Sequence, residues 1–230
     1  MKLAALFSGG KDSTYSIYKA RQMGHDVKCL ITLFPKSPNS HLLHFPSIKL
    51  TKLQSETMNI PHLVTELETD ETNQEMKVLG ILLKKAKQDF HIDGLVHGGI
   101  SSEFQKKRFE NICKENDLNI LTPLWNTNPK EYMNDLIDSG FKFILTSVSS
   151  DGLDETWLGK IITASDLSKL SELSGKYGFN LNFEGGEAET FVVDCSLYSH
   201  PIQITKSEKI WDGYRGRFEI EDAGLDSNAR

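Results

Sequence analysis

The chain has little of what several specialised protein classes require. Cysteine is scarce: three in 230 residues, Cys29, Cys113 and Cys195, far apart and with no Cys-x-x-Cys. That spacing argues against a zinc knuckle or a redox pair, and it fits structural thiols in a reducing cytoplasm. No apolar run approaches the length that crosses a bilayer. The N-terminus enters a strand-like segment at once, without a signal-peptide pattern. A cytoplasmic protein is expected. A basic excess is missing too. The net charge of −6 argues against a broad nucleic-acid footprint, although a local basic patch survives such an average. No internal repeat or low-complexity segment stands out. What is present is ordinary globular composition, 38% hydrophobic and 25% charged. The length allows one large domain or two small ones, with a core that needs no staples.

The first half alternates strand and helix signals. Leu3 to Phe7 is apolar without alternation, as in a strand buried on both faces. Val27 to Phe34, His62 to Glu66, Ile92 to His97 and Leu118 to Leu121 read as further strands. Helices are expected between them. Asp12 and Ser13 read as caps of the first, with Gly24 as its stop. Thr72 with Glu75, and Ser102 with Gln105, read as capping boxes of two later ones. Such alternation predicts a parallel α/β sheet of Rossmann-like type, with ligands at the carboxyl ends of its strands. Gly9-Gly10 and Gly98-Gly99 both fall at that edge. Pro35 to Leu50, with His41 and His44, reads as a loop with a brief strand; no third metal ligand is near.

The pattern changes near residue 125. Asn128-Pro129 opens a helix that Gly140 ends, Phe141 to Val148 is a strand, and a helix follows Ser165-Asp166 up to Gly178. The remainder reads as β: Phe191 to Asp194, Pro201 to Thr205, and short pieces from Glu208 to Ile220, with a frayed tail from Glu221. Two domains are expected, 1–125 and 126–230, the second a smaller α+β unit.

Two motifs are dense in chemistry. Ser8-Gly9-Gly10-Lys11-Asp12-Ser13 directly follows the first strand. Strand, glycine turn and helix N-terminus form a general device for holding phosphate. The spacing is not that of a Walker loop, and aspartate after the lysine does not replace that loop's Mg²⁺-binding hydroxyl. The second motif is Glu184-Gly185-Gly186-Glu187-Ala188-Glu189-Thr190-Phe191. Its carboxylates suit a cation, Mg²⁺ or an amine, or else form a solvated acidic turn.

The first motif resembles the pyrophosphate loop of the N-type ATP pyrophosphatases, whose signature is Ser-Gly-Gly-any-Asp-Ser. With Gly98-Gly99-Ile100-Ser101-Ser102, Gln105, Arg108 and the glutamate run, the whole chain resembles the diphthine–ammonia ligase family, in its compact archaeal-type form. The resemblance implies an N-terminal ATP-binding domain of the adenine nucleotide α-hydrolase type and a C-terminal substrate-binding domain. It implies amidation of diphthine, a modified histidine of elongation factor 2, with ATP and ammonium, releasing AMP and pyrophosphate.

On that footing, Ser8, Gly9, Gly10, Lys11, Asp12 and Ser13 are expected to hold pyrophosphate. Lys11 acts as a flexible cation, and Asp12 orients the loop or reaches Mg²⁺. Backbone groups near Leu33 are expected at the adenine. Gly98, Gly99, Ser101, Ser102, Gln105 and Arg108 are expected to line the nucleotide. The last of these meets a phosphate or carboxylate, or else sits on a solvated helix face. Glu184, Glu187 and Glu189 are candidates for handling ammonium, with no choice among them. His97 reads as a structural histidine or a base. A homodimer is expected only on general grounds. A tRNA-modifying pyrophosphatase and a non-catalytic nucleotide sensor are the competing readings. The first lacks its usual cysteine pair here, and the second leaves Asp12 and the acidic motif without a purpose.

Overall fold

The structure is a computed structural model that describes residues 1–34, 48–68 and 71–226. The segment holding His41 and His44 lies outside them. The chain divides into two compact units, Met1–Trp125 and Asn126–Arg230.

In the first unit, the strands among the described residues form a five-stranded parallel sheet. They are β1 (Lys2–Leu6), β2 (Asp26–Phe34), β3 (His62–Glu66), β4 (Gly94–Val96) and β5 (Asn119–Leu121), in the order β3-β2-β1-β4-β5. The helices between them are α1 (Lys11–Gln22), α2 (Ile48–Met58), α3 (Thr72–Phe90) and α4 (Glu103–Glu115). This is a Rossmann-like order, reversing direction between β1 and β4. Ala4, Cys29, Ile31, Leu33 and Leu95 of one sheet face pack with Leu79, Leu83, Ala86, Phe109 and Ile112 of α3 and α4. Leu3, Ala5, Leu30 and Val96, which alternate to the opposite face, are equally buried. Burial on both faces explains why these strands read as unbroken apolar runs. Truncating Leu95 or Leu83 to Ala is expected to cost about 2–5 kcal/mol, measured by urea unfolding.

Helix ends differ from the sequence reading in instructive ways. α1 begins at least two residues earlier than caps at Asp12 and Ser13 imply. Its N-cap is Gly10, and Asp12 and Ser13 lie inside the first turn rather than capping it. The Gly24 stop is present, at φ +79°. Thr72 and Glu75 form no capping box: Glu71 is the N-cap, without a side-chain cap bond, and Glu75 is buried. Ser102 does cap α4, accepting from the Gln105 N–H. α2 has no counterpart in the sequence reading. Its inward face mixes Thr51, Gln54 and Ser55 with Leu50 and Met58, so the apolar stripe by which helices are recognised is interrupted.

The second unit holds α5 (Pro129–Asp138), β6 (Lys142–Val148), a 3₁₀ turn (Glu155–Trp157), α6 (Ala164–Tyr177), β7 (Ala188–Asp194), β8 (Ile202–Trp211) and β9 (Gly216–Leu225). Its strands form an antiparallel sheet, β7-β6-β9-β8. Asn128 caps α5 with Pro129 next to it. The α6 cap is Thr163, not Ser165. Thr163 and Asp166 make a true capping box, and Gly178 closes the helix in the left-handed region. The expected short β pieces and frayed tail are instead one long hairpin. β9 runs through Glu221 to Leu225, and Asp212 accepts from the Tyr214 and Arg215 N–H groups at its turn. Most of β8 is exposed, and Thr205 donating to Asp222 and Lys206 paired with Glu221 tie the two strands across the ladder.

Candidate active site

Parallel strands of this order leave a crevice at the carboxyl ends of β1 and β4, where the chain departs to opposite sides. From β1 come Phe7 and the Ser8–Ser13 run; from β4 come His97, Gly98 and Gly99. The two meet through backbone. A Cβ on Gly98 would lie 2.5 Å from the carbonyl carbon and oxygen of Asp12 and 2.7 Å from Ser13 N. Only a glycine lets the first turn of α1 rest on the end of β4.

The loop holds its carbonyls away from the opening. The Phe7 carbonyl accepts from Thr32 Oγ1 at 2.7 Å. The Gly9 carbonyl accepts from Gln54 Nε2 at 2.9 Å. The Gly10 carbonyl accepts from the Thr14 N–H, the Thr14 hydroxyl and the Ser13 hydroxyl. Ser13 Oγ also takes the Ser8 N–H at 3.2 Å and lies 3.1 Å from Ser8 Oγ. The Gly10 N–H reaches Ser8 Oγ at 3.4 Å. A helix has no carbonyls of its own for the N–H groups of its first turn. With the nearby loop oxygens tied back, the site is electropositive in character, which suits an anion.

Lys11 is not the flexible cation expected. Its side chain is buried, and Nζ lies 2.9 and 3.0 Å from the two oxygens of Asp12. The Asp12 side chain is 34% exposed, so the pair presents its carboxylate outward. Leu33 contributes no side chain, since that is in the core. Its backbone is better placed. The Ile31 carbonyl accepts from the Phe7 N–H, so Ile31 faces β1; by alternation Leu33 does too, beyond the last residue of that strand.

The residues after β4 are only partly gathered. Gln105 lies near Gly99, its Oε1 3.8 Å from where a Cβ would be. Ser101 precedes the α4 cap, so it does not share a helical face with Gln105 and Arg108. Phe104 is exposed rather than in the core. Arg108 lies over it, Cζ 3.5 Å from the ring centroid, and donates to the Phe104 carbonyl at 3.3 Å. His97 is buried against Phe109. Its Nδ1 accepts from the Gly99 N–H at 3.0 Å, which fixes the glycine turn.

Burial pushes His97 down to about 4, too low for a base near neutrality. His62, held to Thr32 Oγ1 at 2.7 Å, is likewise pushed down to about 4, by burial first and by Lys52 second. Unfolded histidine protonates near 6.5. The folded state therefore binds fewer protons between those values. The stability these groups contribute is complete above pH ~6.5 and is lost as pH falls towards 4. A melting temperature that drops across that window, and drops less in His97→Asn, is the expected outcome.

In the second unit the acidic motif forms a tight turn, with Phe183 at φ +62° and Gly186 at φ +83°. Ser149 donates to the Gly186 carbonyl at 2.8 Å and the Ser147 hydroxyl accepts from the Glu189 N–H. Glu187 folds back over the turn: Oε1 accepts from the Asn180 N–H at 2.9 Å. Its Oε2 is buried without a hydrogen-bond partner among the described residues. No group of three or more His, Cys, Asp or Glu side chains that could hold a metal is found among the described residues. The three glutamates therefore form no ready-made metal cage. Nearby in sequence, a cleft of about 720 Å³ is lined by Asp151, Trp157, Glu172, Tyr177, Trp211 and Tyr214, among others.

All three cysteines are free and buried. Burial pushes the thiols of Cys29 and Cys113 up to about 12, so neither is a nucleophile near neutrality. No described helix is long and apolar enough to cross a membrane.

Compared with known proteins, the chain matches one family in both halves. Residues 1–120 match the diphthamide synthase N-terminal domain and residues 128–225 match the C-terminal domain. The chain is 33% identical over 232 residues to a mouse protein named diphthine–ammonia ligase, covering 91% of this chain and 85% of that one. It is 32% identical to the zebrafish protein of the same name, covering 91% and 89%. A budding-yeast relative of that name is 27% identical, and 37% of its length is covered. A solved structure titled as a predicted subunit of tRNA methyltransferase from Methanocaldococcus jannaschii superposes with a TM-score of 0.48 at 19% identity. That match covers 85% of this chain and 98% of that one, a likeness too distant to bear on function. Both domains and the run of relatives lead to one assignment: the chain belongs to the diphthine–ammonia ligase family.

Proposed function

We propose that the chain converts the carboxylate of diphthine on elongation factor 2 to an amide, using ATP and ammonium, by way of an acyl-adenylate. The carrying observation is the loop after β1, whose Phe7, Gly9 and Gly10 carbonyls are all bonded back into the protein. A carboxylate resists ammonia because the leaving group would be oxide. A carboxylate oxygen attacking the α-phosphorus breaks the α–β phosphoanhydride bond, and pyrophosphate departs. Ammonia then attacks the acyl carbon and AMP leaves.

The Ser8–Ser13 loop holds the β- and γ-phosphates, so that the bond nearest the sugar is the one left exposed. The backbone edge of Leu33 meets the adenine. Lys11 fixes Asp12, which stands with one carboxylate at the opening. A single carboxylate plus nucleotide phosphates is an ordinary donor set for Mg²⁺, so Asp12 fits that ion as an outer contributor. Bound there, Mg²⁺ would supply charge neutralisation on the phosphates. Arg108, now stacked on Phe104, has to leave that ring before it can reach a nucleotide or substrate.

Of the three glutamates, Glu187 is the one we assign to ammonium. One of its oxygens is anchored, and the other is a buried acceptor with no donor among the described residues. Ammonium must lose a proton before it attacks, and a held carboxylate can take it. Glu187→Gln is then expected to raise the KM for ammonium by about tenfold or more, while ATP–pyrophosphate exchange stays near wild type. All three cysteines are buried, and the thiols of Cys29 and Cys113 are pushed up to about 12, which leaves a tRNA-thiolating reading without an accessible nucleophile. The C-terminal unit is the substrate-binding part in this reading, and its aromatic cleft is the surface offered to a protein partner.

The test is transfer of isotopically labelled ammonium into the protein substrate. Mass spectrometry of elongation factor 2 carrying diphthine should show one labelled nitrogen at the modified histidine. An unlabelled product, or turnover without ammonium, rejects amidation.

A further inference from the structure

We infer that Gln54 is a positioning residue that sets the polarity of the phosphate loop, by holding the Gly9–Gly10 peptide with its carbonyl turned away from the phosphates. The inference rests on the loop being the pyrophosphate site, as proposed above.

Gln54 is fully buried, and it comes from α2, whose inward side mixes buried Leu50 and Met58 with polar groups. A buried primary amide is costly unless its groups are bonded. Here Nε2 donates to the Gly9 carbonyl at 2.9 Å. Oε1 sits against the Cα of Gly9, where any Cβ would overlap it. Thr51 and Ser55, three residues before and one after, share the same inward side of the helix and are also buried. Of these inward polar groups, Gln54 is the one that reaches the glycine loop.

The consequence follows from peptide geometry. A trans peptide points its N–H opposite its C=O. No cis bond occurs among the described residues. With the Gly9 carbonyl fixed on Gln54, the Gly10 N–H is directed the other way, where it reaches Ser8 Oγ only at 3.4 Å. That long contact is one a phosphate oxygen can replace. Two successive glycines have little steric resistance to a peptide flip. Flipped, the same peptide would present a carbonyl oxygen to the phosphates and repel them. Thr32 does the equivalent for Phe7, and Thr14 for Gly10. Gln54 is the tether acting on the Gly-Gly bond itself, where conformational freedom is greatest.

The experiment uses the full chain with inorganic pyrophosphate and with AMP as separate probes, by calorimetry. Gln54→Met keeps length and loses the donor. It is expected to weaken pyrophosphate about tenfold, the scale of one lost hydrogen bond, and to leave AMP within about twofold. Gln54→Glu keeps the shape and adds a second check. Its weakened pyrophosphate binding, relative to wild type at the same pH, should recover as the introduced carboxyl protonates and regains a donor. A merely structural role predicts equal losses for both probes and no such recovery, and either result overturns the inference. Unchanged pyrophosphate affinity in both variants also overturns it. If the wild-type chain itself does not bind pyrophosphate, the fault lies with the proposed site, and the inference falls with it.

Discussion

Turnover of Asp12→Ala is expected to fall by about a hundred- to a thousandfold, the loss typical of removing one preorganised electrostatic group from a reacting centre. The reason is placement. Asp12 is not a helix cap in this fold; the cap is Gly10. Its carboxylate is partly exposed at the crevice while its oxygens are gripped by the buried Lys11 ammonium. A second effect comes with the first. Removing the carboxylate takes an anion from beside a buried cation, which destabilises a fold, so the melting temperature should also fall. Pairing Asp12→Ala with Lys11→Met removes the cation as well. That double variant should regain most of the lost melting temperature and none of the turnover. Recovery of both together would make Asp12 a partner of Lys11 and nothing more. Turnover within a few-fold of wild type in the single variant would remove it from the mechanism.

Gly9→Ala is expected to be nearly as damaging, for a different reason. Gly9 sits at φ +81° and has Gln54 Oε1 where a Cβ must go. Gly24 offers a control: its φ is +79°, and nothing lies within 4 Å of the Cβ position. Both substitutions incur the left-handed cost of about 1–2 kcal/mol. Only Gly9→Ala adds overpacking of about 1–3 kcal/mol against a buried side chain. The difference in urea unfolding between the two variants isolates the close approach. In the same pair, pyrophosphate affinity should collapse for Gly9→Ala and hold for Gly24→Ala. Equal destabilisation in both would mean that Gln54 moves aside freely.

Much of the N-terminal unit was legible because a parallel sheet writes itself plainly. Leu3–Phe7 and Val27–Phe34 are apolar throughout since both faces are covered, and the glycines punctuate their carboxyl ends. The phosphate loop was legible as a contiguous motif. Its supports were not. Thr32 and Gln54 reach the loop from other elements, with His62 behind Thr32, and nothing in their local sequence marks the contact. α2 is not legible for a related reason, because its buried side interleaves Thr51, Gln54 and Ser55 with Leu50 and Met58. Thr72 with Glu75 has the spacing of a capping box, but Glu75 is buried and Glu71 takes the cap position. Phe104 shows the reverse. An aromatic on a helix invites a core assignment, yet it lies exposed under Arg108. The acidic motif was legible as a cluster of charge. Its inner distinction, Glu187 folded onto Asn180, depends on a left-handed turn that composition does not reveal.

What the reading depends on most is which phosphates the glycine hairpin grips. Incubating the enzyme with α-labelled and γ-labelled ATP, ammonium and its diphthine-bearing protein substrate, and separating the nucleotides, answers this in one run. Label should emerge as AMP and as pyrophosphate in equal amounts, matched to amide formed. ADP with inorganic phosphate would mean that the terminal bond breaks, and the loop would then be holding the nucleotide some other way.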